Sequence, residues 1–419
     1  MPNLLQRHAM RRLRALLAAF PVVALTGARQ VGKTTLARML LDQEGGTYRT
    51  LDAMLARTQA QEDPEGFVQA DDLLVIDEVQ LAPDLLRAIK LAIDRDRRPG
   101  RFLITGSADL LRLRTVTETL AGRSAWLELG PLTWAEIEAA PPPDAIDAAF
   151  DARSAQAFVT LLKEPAPGWA SQARRRAIEG GMPPTLGLDP AMRREWYDAY
   201  RQTFLERDLR RLSEIENLPE FSRLLSLSLL RTGGVLNKHE LAADAALKYP
   251  TARRYLNILE VACQLRLLPP FLPNIGKRLV KSPKLYATDG GMASHVANIG
   301  SWDDAASMGR EGALFETWAV NELTAIDGAS SARSRIMYLR RSHGPEVDVV
   351  LERGDSIVGI EIKGSATVSS RDLAGLRSLR DDLGGRFRLG MVAYLGDTAE
   401  IVDGSLCVVP IASLLGAAT

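Results

Sequence analysis

The sequence predicts an α/β protein: a doubly wound parallel sheet first, then three short helices with a β-hairpin, then a mixed α/β domain. Three observations predict it. A glycine loop, Gly27-Ala28-Arg29-Gln30-Val31-Gly32-Lys33-Thr34, lies between the apolar run Val22–Leu25 and a helix-forming stretch reaching Leu41. A second apolar run, Leu73–Ile76, ends on the acids Asp77 and Glu78. Near the C-terminus, apolar and polar residues alternate on both sides of Gly354-Asp355.

Composition bounds the possibilities. A chain of 419 residues is long enough for about two to four domains, each with its own core. Lys and Arg number 52 and Asp and Glu 52, so no whole-chain field draws nucleic acid or membrane, and any such partner must be met by a local cluster. Cys263 and Cys407 are far apart without metal-ligand spacing, which fits a reducing cytoplasm. Arg11-Arg12-Leu13-Arg14 before an apolar stretch resembles a leader, but that stretch runs straight into the glycine loop. An amphipathic helix and the first strand are expected there instead. No other run approaches the roughly 18 apolar residues a membrane span needs, so no membrane contact is expected.

Strand, glycine loop and helix form the setting in which G-x-x-x-x-G-K-[ST] binds phosphate. The glycines let the backbone wrap the anion, and N–H groups point at it from a positive helix end. The loop residues Gly27, Ala28, Arg29, Gln30, Val31, Gly32, Lys33, Thr34 and Thr35 are therefore expected to hold a nucleoside triphosphate. Lys33 bridges the β- and γ-phosphates and the Thr34 hydroxyl sits on Mg²⁺. A short strand is expected at Tyr48–Asp52, then the strand ending in Asp77-Glu78. At the carboxyl end of a parallel strand these acids face the ligand crevice, Asp77 toward Mg²⁺ and Glu78 as base for an attacking water. Arg101–Ser107 gives a further strand, whose Thr105 or Ser107 senses the γ-phosphate or caps the next helix. Arg123, just before the strand Ala125–Leu129, is either a stabiliser of transition-state charge or a solvated arginine.

These segments, with Gly130-Pro131-Leu132-Thr133, resemble the AAA-type ATPases (AAA_14) that carry a DUF4143 C-terminal region. The resemblance spans nearly the whole chain. It implies a doubly wound core that hydrolyses ATP and acts as a homo-oligomer, a ring or another assembly. The ATPase core is expected at 1–140 and a helical lid or linker at 141–220. Pro141-Pro142-Pro143 and Glu164–Gly168 interrupt helix formers there, and Arg207 either reaches a neighbour's nucleotide or pairs with an acid.

Residues 221–290 change rhythm: helices at Phe221–Arg231, Asn237–Ala242 and Thr251–Cys263, then strands at Leu265–Phe271 and Leu279–Ala287. Three helices and a hairpin are winged-helix order. Lys248, Arg253, Arg254, Arg266, Lys277, Arg278, Lys281 and Lys284 gather around the single acid Glu260, a patch suited to DNA phosphates. The same module also serves protein–protein contacts, so Arg253 and Arg254 mark the expected DNA face without excluding a protein partner.

Residues 305–419 carry a second constellation. Gly354-Asp355 suits a two-residue turn, and folding about it opposes Leu351 to Val358, Val349 to Ile360 and Asp348 to Glu361. Val347, Val349, Leu351, Val358, Ile360 and Ile362 then share a buried face, with Asp348, Glu361 and Lys363 on the other. Facing carboxylates call for a cation, expected to be Mg²⁺ or Mn²⁺, with Lys363 beside a developing phosphate charge. Asp…Glu-x-Lys on a hairpin is similar to the PD-(D/E)xK nuclease fold, and the resemblance implies a further acid from an upstream helix, matched by Glu316. No proline precedes Asp348, a departure from that motif, and an amphipathic hairpin with a charged outer face would give the same alternation. The expected function is an ATP-driven machine acting on DNA, with a nuclease-like terminal domain. The alternative is a nucleotide-gated switch for a protein partner, with that domain catalytically inactive.

Overall fold

The computed structural model describes residues 4–106, 120–203, 215, 217–272, 282–341 and 344–416. Its contacts separate two compact units: residues 6–130 with 257–264, and residues 1–5 and 131–256 with 265–419.

The first unit is built on five parallel strands. These are β1 (Val22–Thr26), β2 (Thr47–Thr50), β3 (Leu74–Asp77), β4 (Phe102–Thr105) and β5 (Ser124–Glu128), in the order β2-β3-β4-β1-β5. All five residues of β1 are buried, the pattern of a strand covered on both faces. Val22 and Ala24 pack with Ile76, Ile104 and the apolar face of the helix Leu85–Arg95, leaving Val23 and Leu25 to the opposite face. Because every strand runs the same way, the glycine loop after β1, Asp77 at the end of β3 and Thr105 at the end of β4 share one edge. The sheet order puts β4 between β1 and β3, so Thr105 stands between the loop and the acids. Arg123 precedes β5 and lies at the opposite edge.

In the second unit the helices Trp134–Ile137, Ala145–Asp151, Ala155–Leu161 and Trp169–Glu179 share a core with the helix Glu311–Ala329 and the C-terminal sheet. Trp134, Phe158 and Trp169 pack there with Phe315, Trp318, Val349, Leu351, Val358 and Ile360. The segments expected as separate regions, 141–220 and 305–419, thus meet in one hydrophobic cluster. Between them come the helices Leu218–Leu230, Lys238–Asp244 and Tyr249–Val261, interleaved with three short strands. These are β6 (Gly234–Val235), β7 (Leu265–Leu268) and β8 (Lys284–Ala287), an antiparallel sheet with β8 in the middle.

The C-terminal sheet is mixed. Its strands are β9 (Arg335–Arg340), β10 (Glu346–Arg353), β11 (Ser356–Lys363), β12 (Phe387–Tyr394), β13 (Glu400–Ile401) and β14 (Leu406–Pro410), ordered β13-β14-β12-β11-β10-β9. The β10–β11 hairpin pairs Arg353 with Ser356, Leu351 with Val358 and Val349 with Ile360, the register read from the sequence. Two expectations fail. Both faces are covered, since Val350 and Ile357 pack under Leu376, Leu379 and Leu383 of the helix Ala374–Leu383. Val347 joins Val350 instead of Val349, because the β9–β10 pairing shifts register between Val347 and Val350. A bulge of this kind breaks alternation and re-aims the residue within it, here Asp348.

One buried acid ties early and late segments together. The backbone N–H of Trp134 donates to both carboxylate oxygens of Glu322, at 3.0 and 3.1 Å. Burial raises the Glu322 carboxyl from its ordinary 4.5 to about 8, against the opposing pull of that hydrogen bond. A raised folded-state value gives stability that is complete below 4.5 and lost as pH rises through about 8. Glu322→Gln keeps an acceptor for Trp134 and removes the titration. Urea midpoints measured across that range should fall for wild type relative to Glu322→Gln, and parallel curves would contradict this assignment.

Candidate nucleotide and acidic sites

The loop between β1 and the helix Lys33–Glu44 is shaped by two glycines. Gly27 has φ 144°, and a Cβ there would lie 2.2 Å from the Leu129 carbonyl oxygen. Gly32 has φ 98° and ψ 22° at the helix N-cap, a left-handed conformation that favours glycine. Ala28 and Val31 are buried, Arg29 is half-buried, and Gln30 and Thr35 are exposed. Arg7, absent from the sequence reading, pins the loop. Its Nη1 donates to the Val31 carbonyl at 2.7 Å and its Nη2 to the Gly130 carbonyl at 2.7 Å.

Lys33 is buried, its Nζ donating to the carbonyls of Gly27 (3.0 Å) and Ala28 (2.8 Å). Burial lowers its pKa, while the Glu78 and Asp77 charges oppose that shift. Asp77 gathers three hydroxyls. Thr34 Oγ1 donates at 2.9 Å, Tyr48 OH donates at 2.6 Å, and Thr105 Oγ1 donates to the other carboxylate oxygen. Tyr48 was not expected here; burial and Asp77 raise its phenol to about 12, so it stays a donor. Glu78 adopts φ 59° and ψ 42°, left-handed without being glycine, and such strain collects at functional sites. Burial raises its carboxyl, opposed by a hydrogen bond from Gln80 and by Lys33.

These residues fit a magnesium-bound triphosphate. A buried ammonium is bonded to carbonyls of its own loop, and a hydroxyl–carboxylate pair offers the oxygen donors that Mg²⁺ takes. Thr105, one of two candidates for the end of β4, reaches Asp77 and accepts the Glu78 N–H at 3.4 Å; Ser107 lies outside the described residues. Arg123 does not join this group: at the far edge of the sheet its Nη2 is 2.7 Å from Asp94. Arg207 also lies outside the described residues.

In the second unit, the basic set expected around the hairpin divides. Lys248 and Arg253 are exposed, while Arg254 is half-buried over the Tyr255 ring, as is Arg266 in β7. Lys277, Arg278 and Lys281 lie outside the described residues. Lys284 is buried and belongs to a different centre, a correction to its place in that patch.

That centre is the acidic one. It brings Glu316, Asp348 and Glu361 close together, with Glu346 beside them. The compensating cation is Lys284, whose Nζ lies 2.6 Å from Glu316, 2.6 Å from Glu346 and 3.0 Å from Asp348. The divalent ion expected on Asp348 and Glu361 would thus share the centre with a lysine that the hairpin pattern did not include. An ammonium already sits among the carboxylates, and among the described residues no group of three or more His, Cys, Asp or Glu is arranged to hold a metal. Asp348 Oδ2 accepts the Ile362 N–H at 3.0 Å, and Tyr286 OH donates to Glu316. Lys363 bridges Glu361 (3.0 Å) and Asp372 (3.2 Å). Burial, then the Asp348 charge, raises Glu316 to about 7 and Glu361 to about 8. The three neighbouring carboxylates overcome burial and raise Lys284, which stays charged. The signal for Lys284 was a lysine inside a fully buried strand, Lys284–Ala287, but its partners are 32, 62 and 64 residues away in sequence.

A glycine loop after the first strand and a hydroxyl-rich acidic strand end define a P-loop nucleotide-binding domain. Residues 19–138 match the AAA domain (AAA_14), residues 170–303 a domain of unknown function (DUF8612) and residues 311–414 another (DUF4143). Two uncharacterised mycobacterial proteins, Rv2008c of Mycobacterium tuberculosis and Mb2031c of Mycobacterium bovis, are 32% identical over 381 residues, spanning 87% of this chain and 75% of each relative. The chain belongs to their family, and in it an AAA domain precedes a DUF4143 domain. Among solved structures, a Walker-type ATPase of Pyrococcus abyssi is similar at 15% identity and a TM-score of 0.44, over 70% of this chain and 96% of that one.

The Arg7 contacts yield a test of the loop. Arg7→Ala removes two charged donors from the Val31 and Gly130 carbonyls, each worth about 1.5–3 kcal/mol. ATP affinity, measured by titration with a fluorescent analogue, should fall about tenfold or more as the loop loses its preformed shape. Unchanged affinity would mean the glycines alone set that shape.

Proposed function

We propose that this protein hydrolyses ATP and uses the turnover while bound to DNA. The observation that carries the hydrolytic reading is the convergence of Thr34, Tyr48 and Thr105 on Asp77 beside buried Lys33. Lys33 would hold the β- and γ-phosphates, and Thr34 with Asp77 would hold Mg²⁺. The ion, when bound, neutralises charge growing on the phosphate oxygens. Glu78, raised by burial, is the base that orients and deprotonates the attacking water, and Thr105 fixes its backbone. Arg123, paired with Asp94 away from this site, is assigned to a neighbouring subunit's nucleotide in a homo-oligomer.

Glu78→Gln should bind ATP while phosphate release slows about 100-fold or more, and Lys33→Ala should not bind. Wild-type turnover in Glu78→Gln removes Glu78 from the reaction. A rate per subunit independent of protein concentration removes Arg123.

The order helix, strand, helix, helix, strand, strand over 218–287 supports a winged-helix reading, with exposed Lys248 and Arg253 as phosphate contacts. Reversing Arg253 and Arg254 to Glu should weaken duplex binding across sequences alike and flatten its salt dependence, as read by fluorescence anisotropy. Binding untouched by that change moves the DNA surface elsewhere. The competing reading is a nucleotide-gated switch for a protein partner, with an inactive C-terminal domain. Lys284 among the acids favours its second half. ATP turnover stimulated by a protein and indifferent to DNA would favour the whole.

A further inference from the structure

We propose that Lys284 is the resident cation of the acidic centre, its ammonium holding the position a divalent ion would take among Glu316, Glu346 and Asp348 and keeping that centre free of metal. An ammonium has three N–H donors and no acceptor. Three carboxylates from two elements, the helix Glu311–Ala329 and β10, converge on Nζ at 2.6, 2.6 and 3.0 Å, one for each N–H it can offer. The lysine comes from a third element, β8, and its side chain is only 4% exposed. Three negative groups around one buried position would repel each other without a cation. The chain supplies that cation from its own sequence, and a second cation at the same place would be repelled by it.

The centre nonetheless keeps the chemistry of a metal site. Four carboxylates lie near one another, hard oxygen donors of the kind Mg²⁺ and Mn²⁺ bind. Glu361 places Oε1 on Lys363, while its Oε2 is buried with no hydrogen-bond partner. A buried oxygen left in that state is the kind of polar atom that an ordered water or an ion ordinarily satisfies. Tyr286 orients Glu316, and the Ile362 N–H orients Asp348, so the donors are held in place independently of Lys284. The centre keeps the donor type of a divalent-ion site, with the Lys284 ammonium in place of an ion.

The test uses the full chain in a Lys33→Ala background without nucleotide, so that the phosphate loop takes no part in metal binding. Mn²⁺ at millimolar concentration should leave the melting temperature of this protein unchanged. Adding Lys284→Met should lower the metal-free melting temperature and make it climb, saturably, with Mn²⁺. Calorimetry should then show Mn²⁺ binding about tenfold or more tighter than before the substitution. Adding Asp348→Asn should abolish the gain. The proposal is overturned if the Lys284-containing protein responds to Mn²⁺ as strongly as Lys284→Met does, or if Lys284→Met gains no response. Should Lys284→Met fail to fold, Lys284→Met/Glu346→Gln carries one negative charge fewer and faces the same comparison, and absence of a metal response there overturns the proposal equally.

Discussion

Asp77 is where the nucleotide domain is tied together. Its carboxylate receives hydroxyls from the first turn of the helix after β1, from β2 and from the end of β4. Each arrives only because all the strands run parallel and β4 lies between β1 and β3. Carboxyl ends then share one edge, and side chains far apart in sequence meet within hydrogen-bond distance of one acid. The arrangement fixes Asp77 before any ligand arrives, and a preorganised site spends less of its binding energy on ordering itself. Arg7 does the same for the loop, holding carbonyls that would otherwise be free to turn inward.

Much of this was legible in the sequence because it depends on local order. Gly27 through Thr34 are recognisable from their own spacing between a strand and a helix, and the strand ending in Asp77-Glu78 needs only its apolar run to be recognised. The hairpin register followed from Gly354-Asp355 alone, since turn geometry fixes pairing on both sides. What escaped had long-range causes. Arg7 reaches a carbonyl 123 residues away, and Tyr48 lies on a strand whose neighbour is set by sheet order. The bulge at Val347–Val350 is a property of the β9–β10 pair, and β9 carried no pattern strong enough to announce it.

Lys284 shows how a composition argument can mislead. Counted with its sequence neighbours it swelled a basic patch; placed in the fold it is consumed by Glu316, Glu346 and Asp348. A charge contributes to a surface field only when it is at the surface. Buried, it is half of a neutralisation problem whose other half lies on distant elements, and breaking such a pair costs more than forming it gains. The facing acids of the hairpin each have a cation from the chain: Asp348 a lysine 64 residues before it, and Glu361 its neighbour Lys363.

The shared core of the second unit has a consequence for how the chain is made. Trp134, Phe158 and Trp169 emerge from the ribosome well before Phe315, Val349 and Ile360, the residues they pack against. Helices that leave early therefore carry uncovered aromatic faces until most of the chain has been synthesised. At roughly 5–20 residues per second that wait lasts on the order of ten seconds or more, a long exposure for apolar surface. Closing contacts across so long a stretch of chain is also slow. The polar breaks at Pro141–Pro143 and Glu164–Gly168 separate those helices into short pieces, so that during the wait no long apolar face is presented at once.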